Sequence, residues 1–127
     1  MDLIAAVTVL ISIQYLVFLM QVGNARGKTG VQAPAISGDP AFERYFRVQQ
    51  NTLEQLVMVI PSLWLFGYYV HEEIGAGLGL AFFIGRILYS RSYVDDPAKR
   101  GIGFMIGGLA TMALLLGAGG GILIKML

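Results

Sequence analysis

LIAAVTVLISIQYLVFLMQV, residues 3–22, is a long apolar stretch that contains no charged side chain. At 1.5 Å of helical rise per residue, about 20 residues cross the hydrocarbon core of a bilayer, which is roughly 30 Å thick. No basic segment precedes the stretch and no small-residue cleavage site follows it, as a removable signal peptide would require. We therefore expect a retained membrane-spanning helix here.

Three further segments have the length and apolarity of membrane spans, at residues 53–70, 74–93 and 102–124. The first two carry internal charges, whereas the last carries none. The 127 residues are 56% hydrophobic and 13% charged, so the apolar runs are too numerous to be buried in a soluble core of this size. The sequence predicts an all-α integral membrane four-helix bundle, with residues 1–127 as a single domain.

The charges of the connections predict an orientation. Basic residues follow the first and third spans, whereas the short second connection carries Glu72 and Glu73. Because cytoplasmic loops are enriched in Lys and Arg, we expect the first and third connections in the cytoplasm and both termini outside. The compact chain and the absence of a retrieval tail favour a bacterial inner membrane.

Composition excludes several kinds of function. The formal net charge of +1 lacks the basic excess of a nucleic-acid-binding protein. The absence of cysteine excludes disulfides, a thiolate metal site and a cysteine nucleophile, and His71 is the only histidine. We therefore expect no metal site, and any thiol chemistry must use a thiol supplied by the substrate.

A polar helix face leads into the second span. In ERYFRVQQNTLE, residues 43–54, six polar side chains fall within about a third of the helix circumference. They are Glu43, Arg44, Arg47, Gln50, Asn51 and Glu54. An unpartnered charge inside the membrane costs on the order of 3 kcal/mol, so we expect Glu54 to pair with Arg47, two turns earlier. Gln49 points to the opposite side of this helix.

A second polar stripe lies near the cytoplasmic end of the third span. Its members, at i, i+3, i+4 and i+7, are Arg86, Tyr89, Ser90 and Tyr93. An Asp cap followed by Pro97 at the first helical position then predicts that Arg100 lies in the first turn of the fourth span. A helix start and an arginine together favour an anion.

Each polar feature also has a structural interpretation. Basic residues at span ends set topology, tyrosines anchor helices at the membrane interface, and a charged face can form a salt-bridge network. Judged by charge alone, Arg26, Lys28, Arg91 and Lys99 are better explained as topology-setting residues, and for Tyr89 and Tyr93 interface anchoring and ligand contact are equally open. The functional interpretation is favoured for Arg47, Asn51, Glu54 and Arg86, because intramembrane charges are costly. The residues alone indicate a cytoplasm-facing pocket for an anionic small molecule beside a lipid-accessible surface, and a small transporter or channel subunit is an alternative.

Several of these stretches together are similar to a known family. The matching positions are Glu43, Arg44, Asn51 and Glu54, NAR at residues 24–26, GRILYSRSY at residues 85–93, and Arg100. The chain resembles the membrane-associated proteins in eicosanoid and glutathione metabolism, the MAPEG family, and within it the microsomal glutathione transferases and the leukotriene-forming synthases.

The resemblance implies a homotrimer of four-helix subunits that binds glutathione as a co-substrate in clefts between neighbouring subunits. The glutathione sulfur would face membrane lipid, where a hydrophobic electrophile is dissolved. Arg100 matches the family arginine that activates the thiol. The positions that match glutathione contacts are Arg26, Arg47, Gln49, Asn51, Glu54, Arg86, Tyr89 and Tyr93.

The activity implied is that of a glutathione transferase that attacks lipophilic electrophiles, with reduction of lipid hydroperoxides as a related peroxidase activity. Gln55 stands where leukotriene-forming members have a tyrosine, which removes a phenol from the implied cleft. The alternative within the same family is a non-catalytic lipid-binding membrane scaffold. Retention of Arg100 and of the polar stripes favours the enzyme.

Overall fold

A computed structural model describes all 127 residues and contains four long helices and no strand. The helices are α1 (Asp2–Thr29), α2 (Pro40–Tyr69), α3 (Glu72–Asp95) and α4 (Gly101–Met126). α2 and α3 pack together at the centre, with α1 against both of them on one side and α4 against both on the other. The predicted all-α four-helix architecture is confirmed.

Three of the helices, α1, α3 and α4, are long and apolar enough to cross a membrane. α2 is longer, at 30 residues, but charged side chains occupy its first half. Large apolar side chains are exposed along all four helices, which suits a surface that faces lipid. That α2 also crosses the membrane, and that the first and third connections are cytoplasmic, remain predictions.

Local sequence signals set the start of α2 and the end of α1. The Asp39 carboxylate accepts hydrogen bonds from the backbone N–H groups of Ala41 and Phe42, and Pro40 occupies the first helical position. α2 therefore begins at Pro40. α1 ends at Thr29 and is capped by Gly30, whose φ of 79° lies in the left-handed region that glycine adopts without strain.

The start of α4 differs from the prediction. Asp96 caps a separate 3₁₀ turn, Pro97–Lys99, which is closed by a hydrogen bond from the Lys99 N–H to the Asp96 carbonyl. The α-helical ladder begins afterwards, where the Phe104 N–H bonds the Arg100 carbonyl. Arg100 is thus the N-cap residue of α4 and does not lie in its first turn, because the capped proline turn closes with an i to i+3 bond before the helix begins.

Glycines let α3 and α4 approach backbone to backbone. A Cβ added at Gly85 would lie 2.8 Å from the backbone nitrogen of Gly107, and one at Gly103 would collide with the backbone of Tyr89. Small residues permit such contacts between helices in membranes. Other glycines at four-residue spacing also pack within this one chain: Gly75, Gly79, Gly117 and Gly121.

The packing divides the bundle into an apolar part and a polar end. The largest buried cluster joins all four helices and includes Ile11, Leu63, Phe82 and Leu114. A smaller cluster contains Tyr89, beside the buried Arg86. Because the apolar cluster fixes the helices relative to one another, the polar side chains at the other end are held on a rigid frame.

Candidate functional site

A cleft of about 250 Å³ opens between α2, α3 and α4 at this polar end. We name it the Arg100 cleft. Its lining residues are Arg47, Asn51, Tyr89, Arg100 and Phe104. Four of these five were predicted as site residues from three separate parts of the sequence, so the fold brings the predicted catalytic arginine together with three of the predicted binding residues.

The α2 side of the cleft carries the predicted ion pair. Arg47 Nη1 lies 3.2 Å from Glu54 Oε1, and the two side chains are 49% and 57% exposed. An ion pair this exposed contributes about 0–1 kcal/mol to stability, so either partner can exchange it for a ligand at little cost. Next to them, Gln55 Nε2 donates to Asn51 Oδ1 at 3.4 Å, a long hydrogen bond that leaves Asn51 available to a ligand.

Arg86 lies behind the cleft and not on its wall. Its side chain is fully buried, Nη2 donates to the Thr52 hydroxyl at 2.7 Å, and the guanidinium carbon lies 4.1 Å from the centre of the Tyr89 ring. Tyr89 in turn stacks on Tyr93, with 5.5 Å between ring centres. Arg86 therefore supports the tyrosine stack from below, and its Nε and Nη1 atoms have no hydrogen-bond partner within this chain.

Arg100 faces the cleft with its charge uncompensated. It is exposed and forms no ion pair, whereas the preceding Lys99 lies 3.3 Å from the Asp95 carboxylate. Arg47 adds a second guanidinium on the opposite wall. Two arginines beside the N-terminus of α4 favour an anion, because the first amides of a helix and its dipole present positive charge there.

Two predicted residues lie away from this cleft. Gln49 is buried and its Nε2 donates to the Tyr15 hydroxyl of α1. Arg26 donates to the Ala35 carbonyl at 2.7 Å and lies over the Phe42 ring, 4.7 Å from its centre. Both therefore belong to the α1–α2 side of the subunit.

An apolar cavity adjoins the Arg100 cleft. It also measures about 250 Å³, and Phe104 lines both spaces. Its other lining residues are Gln55, Met58, Gly108, Thr111, Met112 and Leu115. The sequence analysis did not single out Phe104, although an aromatic residue one helical turn after Arg100 was a usable signal. No three His, Asp or Glu side chains lie close enough together to hold a metal ion.

Comparison with known proteins identifies the family of this chain. The model of the MAPEG family matches residues 4–120, most of the chain. The chain belongs to the MAPEG family. The resemblance noted from the motifs is thus confirmed, and the match includes all nine predicted site residues.

Three MAPEG relatives illustrate the similarity. An uncharacterized protein of Synechocystis sp., sll1147, is 47% identical over 90% of this chain and 83% of its own length. Microsomal glutathione S-transferase 2 of Homo sapiens is 42% identical over 91% of this chain and 80% of its own length. Leukotriene C4 synthase of Rattus norvegicus is 36% identical over 77% of this chain and 65% of its own length.

Proposed function

We propose that this MAPEG protein is a membrane-bound glutathione transferase that activates glutathione as a thiolate beside Arg100. The observation that carries the proposal is the contact between two spaces: a cleft with two arginines, and an apolar cavity that shares Phe104 with it. A polar anionic thiol and a lipophilic electrophile would meet at that ring. The relatives named for glutathione transfer support the choice of thiol.

Glutathione carries two carboxylates and one ammonium group, and the residues around the cleft complement them. Arg47 would pair with a carboxylate, Glu54 with the ammonium, and Asn51 and the tyrosine hydroxyls would donate or accept hydrogen bonds. Arg86 would act through Tyr89, as a positioning residue. The Arg47–Glu54 pair would then open, and each partner would exchange the other for a group of the ligand.

The role of Arg100 follows from thiol chemistry. A thiol with a pKa near 8.5 is only a few per cent thiolate at pH 7, and the thiolate is the nucleophile. Lowering that pKa by about 2 units requires roughly 2.7 kcal/mol of preferential interaction with the anion and raises the thiolate fraction about twentyfold. A guanidinium without a carboxylate partner, next to a helix N-terminus, can supply an interaction of this size.

Two reactions follow from an activated thiolate. Attack on an electrophilic carbon forms a C–S bond, and the displaced group leaves with the electron pair. Attack on a lipid hydroperoxide transfers an oxygen atom to sulfur and releases the lipid alcohol, after which a second glutathione yields the disulfide and water. The apolar cavity beside Phe104 would hold either lipophilic partner.

Arg26 and Gln49 support a homotrimer with sites between subunits. Both are expected to contact glutathione, yet both lie on the α1–α2 side of their own subunit, outside its Arg100 cleft. In the proposed ring of subunits, the α1–α2 side of one copy would meet the cleft of the next. We further propose that all four helices cross a bacterial inner membrane, with the site toward the cytoplasm.

Conjugation of glutathione to a lipophilic aryl halide in proteoliposomes tests the proposal. We expect Arg100→Ala to lower kcat/KM on the order of a hundredfold, through loss of the thiolate and of an anion contact. Lys99→Ala is the matched control, because it removes the adjacent positive charge, which lies outside the cleft. Absence of glutathione-dependent turnover in the native protein would refute the enzyme and favour the lipid-binding scaffold.

A further inference from the structure

A groove separate from the Arg100 cleft runs along α1 and α3 and continues between α1 and α2 at one end. Three adjoining cavities of about 310, 520 and 210 Å³ form it, and Gln21 lines all three. None of their lining residues also lines the Arg100 cleft or the apolar cavity beside it. We name this feature the α1–α3 groove.

The two features use different sides of α3. Successive residues of a helix turn by about 100°, so Ile87 projects roughly 160° and Ser90 roughly 100° away from Tyr89. Ile87 and Ser90 line the groove, whereas Tyr89 lines the cleft. The proposed use of the groove is therefore independent of the thiol chemistry.

The deeper part of the groove is a strip of apolar side chains. Leu10, Ile13 and Val17 of α1 face Phe83 and Ile87 of α3. From residue 10 to residue 21 the strip extends about 16 Å along α1, close to the hydrocarbon thickness of one leaflet. Along the strip, Gln14 Nε2 donates to the Phe83 carbonyl at 2.9 Å, which ties the two helices together.

The mouth of the groove, by contrast, is polar and basic. Arg91 and Lys28 are both exposed and form no ion pair. Arg91 and Ser90 line the cavity of about 520 Å³, and Lys28 lines the one of about 210 Å³. Tyr45 and Gln21 line both of these cavities.

One carboxylate, that of Asp95, also lines the mouth. It lies 3.3 Å from Lys99 Nζ, so its charge is compensated. The Arg44 guanidinium lies close by as well, because it donates to the backbone carbonyls of Val94 and Asp95. The net charge at the mouth is positive, which attracts an anion.

We propose that the α1–α3 groove binds one anionic phospholipid of the surrounding bilayer. An acyl chain would occupy the apolar strip, and the phosphate would bind Arg91 and Lys28. Basic pockets beside membrane helices bind anionic head groups in this manner. The largest cavity, about 520 Å³ and lined by hydroxyl and amide groups, suits a phosphate with a hydroxylated head group.

Lipid retention tests this assignment. The full-length protein is placed in nanodiscs of equal phosphatidylglycerol and phosphatidylcholine with identical chains and released into mild detergent, and bound lipids are counted by native mass spectrometry. We expect roughly one phosphatidylglycerol retained per subunit, in clear preference to phosphatidylcholine. Equal retention of the two lipids by the native protein would overturn the proposal.

Matched variants distinguish lipid binding in the groove from attraction of anionic lipid by surface charge in general. Arg91→Gln and Lys28→Gln should each lower the preference for phosphatidylglycerol about fivefold, whereas Lys125→Gln, near the opposite end of the bundle, should not. Ile87→Trp should displace both lipids by filling the strip, whereas replacement of the exposed Ile84, which lines none of the three groove cavities, by Trp should not. If Arg91→Gln or Ile87→Trp retains lipid as well as its control does, the groove is not the site.

Discussion

The Arg100 cleft and the α1–α3 groove both combine arginine with an apolar space, yet they offer different chemistry. Arg100 faces a second arginine, an amide and a tyrosine across a cleft between three helices. Arg91 lies at the mouth of an open groove, where the other polar groups are hydroxyls, amides and a paired carboxylate. The side chains around each arginine, more than its own charge, decide which anion the arginine can bind and whether that anion can be activated there.

The separation of the two features begins in the sequence of α3 and the turn after it. Only eight residues lie between Arg91 and Arg100, but the capped turn at Pro97–Lys99 reverses the chain so that α4 packs on the other side of α3. The close contact at Gly103 then holds Arg100 beside Tyr89. The short turn and Gly103 thus place Arg91 and Arg100, which are close in sequence, in two separate features.

The largest expected difference between cleft and groove concerns the subunits that build them. If Arg26 of one copy completes the cleft of the next, co-expressed Arg26→Ala and Arg100→Ala chains should regain activity that neither has alone. A random mixture restores about a quarter of the sites, because one site in four receives both native residues. Turnover of the purified mixture measures this, and no recovery in mixed trimers would show that each cleft is complete within one chain.

A second prediction concerns the close contact between α3 and α4 that supports the Arg100 cleft. Gly103→Ala would push a Cβ into the backbone of Tyr89, and we expect a loss of stability of about 1–3 kcal/mol together with weaker glutathione binding. Gly119→Ala, where a Cβ meets open space, is the control. Thermal unfolding in detergent measures the effect. If the variant at residue 103 is as stable as the control, α3 and α4 do not pack backbone to backbone at Gly103.

The smallest expected effect is that of a substitution behind the cleft, at the residue that contacts Arg86. The Thr52 hydroxyl is the one hydrogen-bond acceptor of the buried Arg86 guanidinium, so Thr52→Val should loosen the Tyr89 stack and weaken glutathione binding severalfold. Thr111→Val removes a hydroxyl that bonds only the Gly107 carbonyl of its own helix. Calorimetric titration compares the two variants, and equal affinities would exclude the positioning role of Arg86.

Sequence reasoning predicted the helices and the polar faces well because both follow from short-range periodicity. It found the Arg47–Glu54 pair and the direction of Gln49, on the side of α2 away from that pair, since all three residues lie on one helix. It did not find that Arg86 lies behind Tyr89, because periodicity gives the side of a helix but not the helix that covers it. It also missed Phe104, whose importance depends on the contact between α4 and α2.

The ultraviolet absorbance of glutathione thiolate on the purified protein, between pH 5.5 and 9, tests the central claim most directly. If Arg100 favours the anion, the pKa of the bound thiol is lowered, so thiolate should be present well below pH 8 and disappear only as the pH falls through the lowered value. Arg100→Ala should return this titration toward that of free glutathione, and Lys99→Ala should not. A native protein that binds glutathione but titrates it near pH 8.5 would contradict thiol activation at Arg100.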